Sequence, residues 1–308
     1  MKQTEVKIPK GLVHPLSING LNGRFLRIPN KDKKRNILVV YGHHSSIERM
    51  FGIVENIADH GTVTMPDLPG FGGMDSFYSL GQKPTLDDYA DYLATFIKLK
   101  FRSGDISIMG MSFGFVVVLR MLQKYPDIAR RVNFLVSMVG FSDKSDFKLS
   151  AKNQFLLRVM ARTFRLGLPA FLFRYIGLNK FIINFAYRIN AKNHPKMKDA
   201  DRNELKRRIK FEIYLWQIND VRSDMTTLLM MFTLIQNPTK LPLILHTVSV
   251  KNDQYFNEKQ VIENFNNIFS KVINTKINLK NHAPTVIDNK EDSKVFIPAS
   301  IRKALDKS

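Results

Sequence analysis

The sequence contains no cysteine in 308 residues, which excludes a disulfide framework, a thiolate metal site and a cysteine nucleophile. It has no H-E-x-x-H, no G-x-x-x-x-G-K and no dinucleotide fingerprint after a strand, so neither a metal nor a cofactor is implied. Nor is there an uninterrupted apolar run of the roughly 20 residues that a membrane span needs. The opening stretch lacks the apolar core of a secretory signal, and a cytoplasmic location is therefore expected. Acids are scarce: 27 Asp and Glu stand against 47 Lys and Arg, a net charge of +20. Such a charge suits a nucleic acid, an anionic membrane surface, or no partner at all where base composition favours lysine. No RNP-like, zinc-finger or helix-turn-helix pattern accompanies it, so no nucleic-acid partner is expected. Peripheral contact with an anionic membrane, at its inner face, stays open.

What is present reads as strands alternating with helices. Residues 4–8 and 24–28 read as the strands of an opening hairpin, separated by turn residues at 19–23. A continuous apolar run at 36–41 reads as a strand buried on both faces. A helix-like stretch at 47–58 and a strand at 62–65 follow. Thr85 and Asp88 form a capping box ahead of a helix with Tyr89, Leu93, Phe96 and Ile97 at helical spacing. Further strands are expected around Ile106 and Ile108 and at 132–139, 241–250 and 276–279, with a helix at 261–272. The alternation argues for a mainly parallel, doubly wound sheet.

Residues 141–238 break that pattern. They show no convincing strand and read as a helical cap inserted between two strands of a core formed by 1–140 and 239–308. Within this segment, residues 147–198 carry eleven Lys and Arg and no Asp or Glu. Arg158, Arg162 and Arg165 share one helical face, with Leu156, Val159 and Met160 toward the other. Two accounts fit: a lid with its apolar side on the core, or an interfacial surface that meets anionic lipid and admits acyl chains.

The chain is organised around Gly110-Met111-Ser112-Phe113-Gly114, a G-x-S-x-G between a strand and an apolar helix. In that setting the pattern is a nucleophile elbow: a tight turn that projects a serine hydroxyl beside a helix N-terminus. A serine hydroxyl is a weak nucleophile until an imidazole takes its proton and a carboxylate orients that imidazole. Of seven histidines, His14, His43, His44 and His60 precede the elbow. His194 lies in the basic segment and His246 inside an apolar strand. Only His282 follows the last strand, in a loop. Asp253, just past the strand at 241–250, is the matching acid, and Asp143, past the strand at 132–139, is the fallback.

Together these elements resemble the α/β-hydrolase superfamily, in its capped serine esterase and lipase-like branch. The resemblance rests on Tyr41-Gly42-His43-His44-Ser45-Ser46, Asp67-Leu68-Pro69-Gly70-Phe71-Gly72, the elbow, Tyr125-Pro126-Asp127, Asp253 and His282-Ala283-Pro284 in that order. It implies an α/β-hydrolase fold, a triad of Ser112, Asp253 and His282, and an oxyanion hole from the backbone N–H groups of His43 and Phe113. A pocket lined by His44, Met111, Phe155, Phe164 and Phe171 is expected. Tyr41 stands where the family usually has histidine, and Phe115 where many relatives have a second glycine. His43 and His44 either bind a polar part of the substrate or are exposed and inert.

A serine nucleophile makes an acyl-enzyme, so the resemblance implies a carboxylic ester substrate and disfavours the carboxylate-dependent epoxide and haloalkane chemistries. Acyl transfer, carbon–carbon hydrolysis, or a non-catalytic platform for a membrane or partner are the alternatives.

Overall fold

The computed structural model describes residues 6–189, 201–279 and 290–307. In chain order, the first half runs β1 (Val13–Ile18), β2 (Leu21–Ile28), β3 (Asn36–Val40), α1 (Ile47–Ile57), β4 (Thr62–Pro66), α2 (Leu86–Lys100), β5 (Ile106–Met111), α3 (Phe113–Lys124), α4 (Pro126–Ala129) and β6 (Val132–Met138). Then come α5 (Ala151–Phe164), α6 (Gly167–Leu172), α7 (Lys180–Ile189), α8 (Arg202–Ile218) and α9 (Val221–Thr233). The chain returns to the sheet with β7 (Leu241–Val250), α10 (Glu258–Ile268), β8 (Phe269–Ile277), α11 (Lys290–Ser293) and α12 (Ala299–Lys307).

The eight strands form one sheet in the order β1-β2-β4-β3-β5-β6-β7-β8. β1, β2 and β4 pair antiparallel, and every pairing from β4 across to β8 is parallel. Parallel strands covered on both faces need apolar side chains throughout. Accordingly β5 is buried along its whole length, as is β3 from Ile37 onward. Each such Val, Ile or Leu removed from water contributes about 1.5–3 kcal/mol. The order reverses between β3 and β5: the chain goes to β4 on one side of β3 and then crosses to β5 on the other. Loops leaving the carboxyl ends of strands at such a switch point diverge and open a crevice.

The opening hairpin differs from the sequence expectation. Its first strand is β1; of the strand expected at 4–8, residues 6–8 are irregular and residues 4–5 lie outside the described residues. β1 contains Pro15 and is an edge strand, where a residue without an N–H is tolerated. Asn19 and Gly20 make the turn, both with positive φ (50° and 82°), the geometry of a two-residue hairpin loop. At the other end, the helix expected over 261–272 stops at Ile268, and β8 starts at once with Phe269. Phe265, Ile268, Phe269 and Val272 fall at helical spacing by coincidence. The capping box at Thr85 is present, with Asp88 Oδ2 accepting the Thr85 N–H at 2.7 Å.

Between β6 and β7 the described residues form helices and turns. Here α5 and α6 lie against α9, and α7 against α8. Of the apolar face of α5, Leu156 and Val159 are exposed, whereas Met160 packs with the buried Ala161 on a cluster that includes Val221 and Met225 of α9.

Candidate active site

Ser112 joins β5 to α3 with φ 48° and ψ −123°, a backbone conformation that costs a residue with a side chain about 1–3 kcal/mol. Close packing on both sides holds it there. A Cβ on Gly110 would stand 2.7 Å from the Phe115 Cα, and one on Gly114 would run into the carbonyl oxygens of Val40 and Tyr41. No larger residue fits at either position, which is the physical content of the G-x-S-x-G pattern. The Ser112 N–H donates to the Met138 carbonyl at 3.0 Å, and the Ser112 carbonyl accepts the Phe115 N–H at 3.0 Å. The turn is thereby tied to β6 and to its own helix.

Phe115, in place of a glycine, is fully buried against Phe265 with ring centroids 5.3 Å apart. Gly140 makes room for it, since a Cβ there would come within 2.8 Å of the Phe115 ring. Gly42 lies against the elbow from the other side. A Cβ on it would be 3.1 Å from the Ser112 Cβ and 3.7 Å from the Phe113 nitrogen. The segments carrying the His43 and Phe113 amides therefore run side by side beside the serine. The Phe113 N–H opens α3 and takes no backbone acceptor among the described residues. It is one of the unpaired donors at a helix N-terminus, where the helix dipole favours negative charge.

Beyond β6, β7 ends at Val250, and a turn through Asn252 (φ 61°) presents Asp253. Its Oδ1 accepts the N–H groups of Tyr255 at 2.8 Å and Phe256 at 3.2 Å, which fixes the direction of a buried carboxylate. Ser112 and Asp253 thus leave the same edge of the sheet from strands two apart. Val250 is paired with Ile277, and the Lys251 N–H donates to the Ile277 carbonyl at 2.8 Å. β8 therefore returns the chain to that edge. His282 lies outside the described residues. Asp143 is engaged elsewhere: its Oδ1 accepts the Ser145 N–H at 2.8 Å and its Oδ2 the Gln236 N–H at 2.7 Å.

The residues expected to line a pocket differ in burial. Met111 is buried at the end of β5. Phe164 packs on Phe173 at 4.6 Å within the helical segment. Phe155 and Phe171 are more than half exposed.

His44 is not exposed. It is buried with φ 50°, and its Nδ1 lies 2.8 Å from Asp224 Oδ2 of α9. Its Nε2 is 3.7 Å from Glu212 Oε2 of α8, and its ring centroid is 4.2 Å from that of Trp216. Arg49 of α1 donates to the His44 carbonyl at 2.7 Å and bonds the Glu212 carboxylate. His43 Nδ1 is 3.0 Å from the Thr227 hydroxyl, and that hydroxyl donates to the Ser223 carbonyl at 2.9 Å. Burial normally demands pairing of charge, and here two acids from α8 and α9 meet groups of the loop after β3. Sequence reading missed Glu212, Trp216, Asp224 and Thr227. The only available signal was acids recurring in 201–224 after a long acid-free stretch.

Tyr41 has a visible task. Its hydroxyl donates to Asp67 Oδ1 at 2.8 Å and accepts the Leu68 N–H at 2.8 Å, linking the loops after β3 and β4. Asp67 Oδ1 also accepts the Ile47 N–H, and its Oδ2 accepts the Gly73 N–H and Arg24 Nε. Arg24 forks onto Glu48 at 2.7 and 2.9 Å. Burial opposes the charge on Glu48, but the Arg24 guanidinium outweighs it and holds the carboxyl below its ordinary range. Burial, with the Asp67 charge alongside, pushes the Tyr41 phenol well above its ordinary value, so it remains a neutral donor.

The sequence matches the family described as alpha/beta hydrolase fold over residues 18–284. A search of curated proteins finds no match. Among solved structures, a carboxylesterase of the thaumarchaeon Nitrososphaera gargenis is 14% identical with TM-score 0.67, covering 96% of this chain and 99% of that one. A thermophilic esterase from Thermogutta terrifontis is 17% identical with TM-score 0.63, at 95% and 96% coverage. The epoxide hydrolase CorEH is 13% identical with TM-score 0.63, also at 95% and 96%. Neighbours of differing chemistry at such low identity share an architecture. With the family match spanning most of its length, the chain belongs to the alpha/beta hydrolase fold family.

Proposed function

We propose that this protein is a serine hydrolase that cleaves carboxylic esters with an apolar acyl group. The Ser112 Oγ attacks the ester carbonyl carbon as His282 takes its proton, and Asp253 orients and stabilises the imidazolium. The tetrahedral oxyanion is held by the N–H groups of His43 and Phe113. Its collapse breaks the carbonyl–alkoxy bond, and the leaving alcohol takes the proton from His282. Water then attacks the acyl-enzyme, gives a proton to His282, and the released serine recovers it. Helices α5–α9 act as a cap over the sheet edge.

The observation that carries this reading is the strained backbone of Ser112, wedged between Gly42, Gly110 and Gly114. Strain of that kind persists where surrounding structure enforces it, and such positions concentrate at functional sites. A serine in the elbow also separates this chain from carboxylate-nucleophile chemistry, despite the epoxide hydrolase among its structural neighbours. The test is turnover of a chain-length series of chromogenic esters by the wild type and by Ser112→Ala. Turnover rising with acyl length and abolished by the substitution supports the reading. Equal turnover by the variant refutes it.

A further inference from the structure

We infer that the outer face of α5–α7 is a docking surface for an anionic lipid bilayer. This goes beyond the hydrolase reading and does not depend on it. Among the described residues, thirteen of the eighteen exposed large hydrophobics lie between positions 155 and 189, at 43–70% exposure. They recur at helical spacing. Leu168, Phe171 and Tyr175 form one stripe through α6 and the turn Phe173–Gly177, and Phe181, Phe185 and Ile189 form another along α7.

These stripes face the wrong way for a core. The inward side is made by small or few residues: Ala161 of α5, Ala170 of α6 and Ile183 of α7 are buried. Ala161 and Ala170 pack with Val221 and Met225 of α9. A helix in a globular protein turns its apolar stripe inward and its charges outward. Three successive helices here turn large apolar side chains outward alongside their charges. A contiguous apolar surface of more than a few hundred Å² on a soluble protein marks an interaction site.

The charge identifies the occupant. Residues 147–198 hold eleven Lys and Arg and no acid, and Lys152, Arg162, Lys180 and Arg188 are exposed among the apolar residues. Lys180 lies over the Phe181 ring, with its Nζ 5.3 Å from the centroid. An apolar face fringed by cations, with no acid on α5–α7 themselves, matches the interfacial zone of an anionic bilayer: side chains enter the acyl boundary and cations stay at the headgroups. Each added cation strengthens that attraction, which salt screens. A second copy of this chain would bring the same positive charge against itself. No described helix is long and apolar enough to cross a membrane, so the contact is peripheral.

The experiment is co-sedimentation of the full chain with vesicles of equimolar phosphatidylglycerol and phosphatidylcholine, and with pure phosphatidylcholine. The expected result is strong partitioning to the anionic vesicles, reduced at least tenfold by molar salt or on neutral vesicles. Phe181→Asp with Phe185→Asp, at exposed positions that leave the fold intact by circular dichroism, lowers partitioning at least tenfold. Lys180→Glu with Arg188→Glu lowers it through charge alone. Ser112→Ala partitions like the wild type, which separates docking from catalysis. Partitioning absent from anionic vesicles, or unchanged by both pairs of substitutions, overturns the inference. So does a dimer in vesicle-free solution that the Phe→Asp pair dissolves, because a second copy then covers the face.

Discussion

The imidazole Nδ1 of His44 lies 2.8 Å from the Asp224 carboxylate, a residue 180 positions later in the chain. The pair joins the loop after β3, beside the elbow serine, to the helical segment that follows β6. Asp224 is fully buried, so the pair cannot be treated as a screened surface contact. Removing one partner of a buried pair leaves the other uncompensated, at a cost of about 3–5 kcal/mol. Asp224→Ala is expected to lose stability on that scale in chemical denaturation. Asp224→Asn, which keeps an acceptor for Nδ1–H, is expected to lose much less. Because the loop also carries the His43 amide, Asp224→Ala lowers kcat/KM roughly tenfold beyond the effect of partial unfolding. A variant as stable and active as the wild type would show the pair to be idle.

Tyr41 supplies one donor and one acceptor in a fully buried setting. Tyr41→Phe keeps the ring but leaves the Leu68 N–H and one Asp67 oxygen short of a partner. The expected loss is about 1–3 kcal/mol, read as a lower denaturation midpoint at unchanged slope. Tyr41→His, which restores the residue usual in the family, is expected to recover part of it.

Ser112 stores strain that alanine keeps and glycine relieves. Ser112→Gly and Ser112→Ala are both expected to be inactive, with the glycine variant more stable by roughly 1 kcal/mol. Equal stability of the two would mean that the elbow is not strained in solution.

His246 in β7 lies tilted against Phe134, ring centroids 4.6 Å apart, and its pKa is lowered by burial and then by the Lys271 charge. The folded state therefore binds fewer protons than the unfolded state between that lowered value and the ordinary histidine pKa of about 6.5. Stability rises with pH across this window and falls on acidification through it. His246→Gln is expected to flatten the stability profile there, measured by urea unfolding from pH 7 to pH 5. An unchanged slope would assign the acid sensitivity to other groups.

The turns that carry Ser112 and Asp253 were legible because their signals are local. The elbow needs Gly110 and Gly114 within two residues of Ser112, and Asp253 follows a strand whose apolar run is unmistakable. The His44–Asp224 contact was not legible, because nothing in either segment states that a helix will lay its acid on a loop 180 residues earlier. Helical periodicity placed Leu156 and Val159 on a common face but could not tell which side of α5 would be covered, and the covered residue is Ala161. β1 holds Pro15, which an edge strand tolerates because the residue's missing N–H need not join a ladder.

The most direct measurement is intact-mass and peptide-mapping analysis of the full chain after incubation with a fluorophosphonate, for the wild type, Ser112→Ala and His282→Ala. A serine hydrolase with Ser112 as nucleophile gives one adduct, on the peptide carrying Ser112. That adduct is absent in Ser112→Ala and forms about a hundredfold or more slowly in His282→Ala, where the general base is gone. A wild type that takes no adduct, or a Ser112→Ala variant that is still labelled, contradicts the assignment.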